Sequence, residues 1–180
     1  LLKGYGAYEI YTLSLVSKDQ TETNSLKLKN PLGADSEFLR TTLRPSLISA
    51  AKENSREKEP FHLFEIANVY LPQKDDLPEE KLMLAGMFAN SQYREAKGIV
   101  ESLLQELNID YDFVPEDSRY FLPSCRLLIK AKGDYLGQLG ILEKDNFIYY
   151  EFAVEALRKA SQGVSYQPIP QKPPQIEDIT

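Results

Sequence analysis

The 180-residue sequence contains one Cys, one His, two Met and no Trp. A single Cys125 excludes an intrachain disulfide and any metal cage built from cysteines. A single His62 removes the catalytic schemes that combine a His base with His ligands. An excess of positive charge is missing as well. The 21 Lys and Arg stand against 27 Asp and Glu, a formal net charge of −6, so no overall positive field draws a phosphate backbone from a distance. No stretch approaches the roughly 20 consecutive apolar residues of a membrane helix, and the first residues lack a basic region followed by an apolar run and a small-residue cleavage site. The chain therefore reads as soluble, intracellular and cytoplasmic, with no membrane partner.

What remains is ordinary globular usage. At 42% apolar and 27% charged, with 11 Tyr and 8 Phe, the chain can bury the core of one domain, or at most two small ones. The opening Leu1-Leu2-Lys3-Gly4-Tyr5-Gly6, without Met, reads as the end of a helix entering a glycine-capped turn, and hence as a fragment of a longer protein. Alternation rich in strand formers predicts a strand over 7–16 and a short half-exposed one over 25–29, closed by a turn at Asn30-Pro31-Leu32-Gly33. Leu43, Leu47, Ile48, Ala50 and Ala51 fall at helical spacing with Pro45 in the first turn, which predicts a helix over 43–54. Strands follow over 61–71 and 81–88, adjacent and antiparallel, then a helix over 94–107 with Asn108 as its terminator. Further strands are expected over 109–114, 126–132, 135–142 and 147–152, and a last helix over 152–160. Pro168, Pro170, Pro173 and Pro174 predict an extended tail. The fold class is α+β with a mainly antiparallel sheet flanked by helices. Residues 1–165 form the core domain, and 166–180 a Pro-rich linker toward a missing C-terminal domain.

Several blocks then carry a resemblance. Gly6-Ala7-Tyr8-Glu9-Ile10-Tyr11-Thr12-Leu13-Ser14-Leu15-Val16 is followed by Leu28-Lys29-Asn30-Pro31-Leu32. Phe38-Leu39-Arg40-Thr41-Thr42-Leu43-Arg44-Pro45-Ser46-Leu47 and Phe64-Glu65-Ile66-Ala67-Asn68-Val69-Tyr70 come next. Together with Ala96-Lys97-Gly98-Ile99 and Gly137-Gln138-Leu139-Gly140, they stand in the order found in bacterial phenylalanyl-tRNA synthetase beta chains. The chain resembles that subunit's synthetase-like core over nearly its whole length. It departs from the family pattern at Ala67, where Gly is usual, and at Glu177, where Arg commonly precedes the Asp. Both departures leave the expected fold intact and put any tRNA-facing role of the tail in doubt.

The resemblance implies a class II synthetase core that is catalytically silent, in a heterotetramer whose alpha chain carries the aminoacylation site. It implies ATP and magnesium for the parent enzyme and none for this fragment, the alpha chain as partner, and tRNA only in the context of the whole complex. Editing and anticodon functions would lie outside the fragment. The residues test the silence separately. Class II chemistry uses an Arg-x-Glu strand to grip the ATP α-phosphate and an Arg after a Gly-x-Gly turn for the far phosphates. None of the seven Arg, at 40, 44, 56, 94, 119, 126 and 158, has Glu two residues later. Arg158 follows Ala153-Val154-Glu155, whose carboxylate would repel phosphate.

No catalytic, cofactor or metal residue is assigned. Candidates for family-motif or interface roles are Asn30, Pro31, Leu39, Arg40, Thr41, Leu43, Pro45, Leu47, Phe64, Glu65, Lys97 and Gly98. Arg40, next to a helix entry, reads as a local salt bridge or cap ahead of a partner for a carboxylate across a subunit interface. Leu47, Ile48 and Ala51 fit an intersubunit helix face and simple packing on the chain's own sheet equally well. His62 reads as structural, and Cys125, in Pro123-Ser124-Cys125, is not read as a nucleophile. Three functions follow: a noncatalytic scaffold for the alpha chain, which is preferred; an active ligase, which the missing Arg motifs oppose; and an independent interaction or small-molecule module in the relic of a cleft.

Overall fold

Residues 61–71 hold Phe, Leu, Ile, Val and Tyr in a run too apolar for a surface loop, and they form the long strand β4 (Phe61–Leu71) around which the fold is built. The computed structural model describes residues 1–21, 24–55, 59–74 and 76–161. Before β4 come β1 (Tyr8–Glu9), β2 (Leu15–Val16), β3 (Phe38–Leu39) and α1 (Arg44–Asn54). After it come β5 (Glu79–Ala89), α2 (Tyr93–Glu106), β6 (Asp112–Pro115), β7 (Phe121–Ala131), β8 (Asp134–Leu142), β9 (Ile148–Ala153) and α3 (Val154–Ala160). Seven strands make one sheet in the order β1-β4-β5-β9-β8-β7-β6, antiparallel except where β1 joins β4. The architecture is α+β, as the pattern predicts.

Two apolar layers sandwich the sheet. On one face α2 presents Ala96, Val100, Leu103 and Leu104, an i, i+4, i+7, i+8 stripe, and α3 adds Leu157, against Phe64, Phe88, Leu139, Tyr150 and Phe152. On the other, α1 presents Leu43, Leu47 and Ala51 to Leu63, Ala85, Met87, Leu142 and Tyr149. α2 ends where Asn108 takes φ 54, with Asn108 N–H donating to Gln105 O and Ile109 N–H to Leu104 O. Ile109 and Leu104 share the core cluster, so the predicted terminator closes a Schellman turn. At the chain start a 3-10 turn over Leu2–Tyr5 ends at Gly6 with φ 80, which suits glycine.

Five expectations are corrected. The strand expected over 7–16 is two short pieces. Ile10 N–H still donates to Phe64 O, but Thr12 N–H turns to the Glu65 carboxylate at 3.0 Å and the ladder stops. The strand over 25–29 reduces to one bridge at Lys27, because its partner β3, not anticipated from the sequence, is two residues long. The strand over 109–114 begins only at Asp112, Ile109 being spent on the helix cap. The strand expected from 126 instead starts at Phe121, across a register shift between Phe121 and Arg126. The helix expected from 152 starts at Val154, because Phe152 and Ala153 still pair with β5. The tail over 166–180 and residues 162–165 lie outside the described residues.

Candidate functional site

Strand register brings the polar residues of the α1-side face into one row. Glu65 lies opposite Ala85, Ala85 opposite Glu151, Glu151 opposite Gln138, and Gln138 opposite Leu128, from β4 across to β7. With a side-chain period of two, all of them face the side on which Leu63, Ala67, Met87, Tyr149 and Leu142 pack.

At the β4 end stands a buried ion pair. Arg40 and Glu65 are 3% and 1% exposed, and Arg40 Nη1 lies 3.2 Å from Glu65 Oε1. The same Nη1 donates to Thr12 Oγ1 at 2.7 Å, Nε donates to Asn68 O at 3.1 Å, and Thr12 Oγ1 donates to Glu65 Oε2 at 2.7 Å. Each charge therefore keeps its partner and further hydrogen bonds, which is the condition for a buried pair to persist.

At the β8 end Arg126 Nε donates to Gln138 Oε1 at 2.7 Å, and Gln138 Nε2 donates in turn to Glu151 Oε1. Tyr149 Oη donates to Glu151 Oε2 at 2.7 Å, and Arg126 Nη1 donates to Glu116 at 3.1 Å. Burial first, then the Glu151 charge, pushes the Tyr149 phenol well above its ordinary range, with Arg44 and Thr42 pulling the other way. Burial and Glu151 also push Tyr135 up to about 12. Both phenols are neutral donors near neutral pH. Arg44 lies over the Tyr120 ring at 3.9 Å, so Arg40, Arg44 and Arg126 are each engaged within the chain.

The candidates from the sequence divide between the two faces. Arg40, Leu43, Leu47 and Glu65 gather on the α1 side, with Leu39 in β3 and Pro45 in the first turn of α1 close by. Thr41 is half-buried and its Oγ1 has no hydrogen-bond partner. Asn30 and Pro31 sit on the loop leading to β3, Asn30 exposed. Phe64 points to the opposite, α2-side core. Lys97 and Gly98 are on α2, where Lys97 pairs with Glu101 and lies 4.2 Å over the Phe113 ring. His62 is buried, stacks on Phe88 and is 3.0 Å from Tyr150 Oη, and burial holds its imidazole down at about 4. Sequence reasoning missed Thr12, Arg126, Gln138, Tyr149 and Glu151. Two signals were there: Glu151 is the one charge in the run 147–152, and Gln138 interrupts the apolar residues of 135–142.

A triphosphate with magnesium wants unpaired cations, close backbone approach and a set of free carboxylates. Among the described residues of this face, Glu65 is paired with Arg40 and Glu151 is bonded by Gln138 and Tyr149, while Arg126 is taken by Gln138 and Glu116. The glycine of this face, Gly140, is not open ground: a Cβ there would meet the Phe121 ring at 2.5 Å and Cys125 O at 2.7 Å. Among the described residues no group of three or more His, Cys, Asp or Glu is arranged to hold a metal. Nor is any described helix long and apolar enough to cross a membrane. The described residues of this face do not fit the nucleotide or its metal.

Comparison with known proteins agrees with the fold. The chain is 34% identical over 149 residues to the phenylalanine–tRNA ligase beta subunit of Clostridium tetani, covering 79% of this chain and 19% of that protein. It is 31% identical to the beta subunit of Clostridium acetobutylicum, over 96% of this chain and 24% of the relative. The chain thus spans about a fifth to a quarter of the length of these curated relatives. Among solved structures, pyrrolysyl-tRNA synthetase from Desulfitobacterium hafniense superposes with a TM-score of 0.68 at 19% identity, covering 92% of this chain and 70% of that one. That likeness is one of fold, the class II synthetase sheet. The family described as phenylalanyl tRNA synthetase beta chain CLM domain matches residues 1–154, and the chain belongs to it.

Proposed function

We propose that this chain is the noncatalytic structural core domain of a phenylalanyl-tRNA synthetase beta subunit, packing against the catalytic alpha subunit of the enzyme that attaches phenylalanine to its tRNA with ATP. One observation carries the reading: the polar row on the α1-side face closes on itself. Arg40 is bound by Glu65 and Thr12, and Arg126 by Gln138 and Glu116. A substrate phosphate would have to break those pairs and face the Glu65 and Glu151 carboxylates before gaining a cation. In this reading ATP, magnesium and phenylalanine belong to the alpha chain, tRNA is met only by the assembled complex in the cytoplasm, and residues 166–180 run on from the 1–165 core as a linker toward a further domain.

The test is a titration of the chain against the cognate alpha subunit by calorimetry, with ATP and phenylalanine binding to the chain alone measured in parallel. Tight association with alpha and no heat with ATP is the expected result. Saturable ATP binding by the chain alone overturns the noncatalytic role. Binding of neither turns the reading toward an independent interaction module on a degenerate synthetase fold.

A further inference from the structure

On the face opposite the polar row, a pocket of 160 Å³ lies between the Leu2–Tyr5 turn, the start of β4 and the first turns of α2. Tyr5, Phe61, Phe88 and Ile99 give it apolar walls, His62 lines it as well, and Glu95 is the only charged residue among those that line it. A cavity of about 150 Å³ accepts a benzene ring, so a ring with one small substituent fits. The lone carboxylate disfavours an anion.

The imidazole of His62 gives the pocket its chemistry. Among the described residues, three buried side-chain polar atoms lack a hydrogen-bond partner, Thr41 Oγ1, His62 Nδ1 and Tyr93 Oη, and of the three residues only His62, 5% exposed, is more than nine-tenths buried. Its tautomer follows from its neighbour. Tyr150 is fully buried, and burial pushes its phenol well above the ordinary range, so the phenol keeps its proton. The 3.0 Å contact with His62 Nε2 is the one hydrogen bond that Tyr150 Oη makes among the described residues. If Nε2 carried the proton and donated, the phenolic hydrogen and the Nδ1 lone pair would both be left unsatisfied. If the phenol donates to Nε2, Nδ1–H alone is orphaned, which is the less costly arrangement. A buried donor therefore stands in a ring that walls an apolar pocket, and it calls for an uncharged acceptor. A carbonyl oxygen on a small ring meets that need, whereas a hydrocarbon leaves the donor unpaired and a carboxylate meets Glu95.

We propose that this pocket binds a small neutral ring compound bearing a carboxamide, whose carbonyl oxygen accepts from Nδ1–H of His62. The test uses the 180-residue chain labelled with nitrogen-15, in which the sole His gives one set of ring-nitrogen signals. Long-range proton–nitrogen correlation at neutral pH should show the Nδ1–H tautomer. Benzamide should shift the Nδ1 signal saturably, with a Kd on the order of 1 mM, and benzoate should bind at least about tenfold more weakly. Ile99→Trp, which fills the pocket and leaves His62 in place, should abolish the benzamide shift while the β5 amide signals hold their positions. Glu95→Gln, at an exposed position of α2, should bring benzoate to within about threefold of benzamide, and it decides the matter should Ile99→Trp disturb the sheet. An Nε2–H tautomer overturns the proposal, and so does the lack of saturation by about 20 mM benzamide. A shift that survives Ile99→Trp, equal affinity for the two probes in the unaltered chain, or a benzoate affinity that Glu95→Gln leaves unchanged overturns it as well.

Discussion

Replacing Arg40 by Met removes a guanidinium that is 3% exposed while keeping a long apolar stem, so the change isolates charge from packing. Glu65, 1% exposed, keeps its bonds from Thr12 N–H and Oγ but loses its counter-charge, and Asn68 O loses a donor. Breaking a buried pair from one side costs about 3–5 kcal/mol, because the remaining charge stays desolvated. Against a total stability of about 5–15 kcal/mol that is a large fraction. With a urea m-value near 2 kcal/mol/M, the unfolding midpoint should fall by roughly 2 M. Arg40→Met with Glu65→Leu removes both charges. It leaves Thr12 short of an acceptor, at a cost of about 1–2 kcal/mol, so the double variant should be more stable than Arg40→Met alone. The cycle read by urea unfolding, followed by circular dichroism, should give a coupling of at least about 2 kcal/mol. A loss under about 1 kcal/mol for Arg40→Met, with the two changes additive, would refute the argument that this pair is desolvated and mutually dependent.

Three further outcomes follow from the same geometry. His62 is held down at about 4 when folded and has an ordinary value of 6.5 when unfolded, so the unfolded state takes up a proton first. Stability should be flat above pH 7, fall by up to about 3 kcal/mol as pH drops from 6.5 toward 4, and fall less in His62→Gln. As the sole His, its ring protons give a single NMR titration, and a midpoint above 6 would contradict its burial. Gly140→Ala drives a methyl into the Phe121 ring and Cys125 O and should cost about 1–3 kcal/mol, whereas Gly98→Ala, with nothing within 4 Å of the added carbon, should gain about 0.5–1 kcal/mol in helix α2; thermal unfolding of the pair checks both signs. Tyr149→Phe deletes one hydrogen bond to Glu151 at constant shape and should cost about 1 kcal/mol by urea unfolding.

Local pattern carries the parts of this fold that local forces decide. The apolar stripe of α2, the Asn108 cap and the dense strand Phe61–Leu71 follow from spacing and residue type alone. The segment 7–16 fails for the opposite reason. Its alternation is genuine, but Thr12 is taken by a carboxylate 53 residues away, and a side chain that competes for a backbone N–H across such a distance leaves no trace in a ten-residue window. Residues 25–29 fail likewise, since a strand's length is set by its partner, and Phe38–Leu39 offers two residues.

The polar row is harder still, because it exists only in the sheet order. Arg40 and Glu65 fall in motif blocks and could be singled out by type, and Gln138 and Glu151 stand out as polar residues within apolar runs. Only the insertion of β9 between β5 and β8 sets Gln138 beside Glu151 and both in line with Glu65. That alignment also fixes the register. If β9 slipped by one residue, Glu151 would turn into the layer of Val100, Leu104 and Leu139, and Tyr150 would leave it. A carboxylate there would find no partner, at a cost of several kcal/mol, so the slipped pairing is excluded. The same polar residues that occupy this face with bonds to one another therefore specify which way β4, β8 and β9 face.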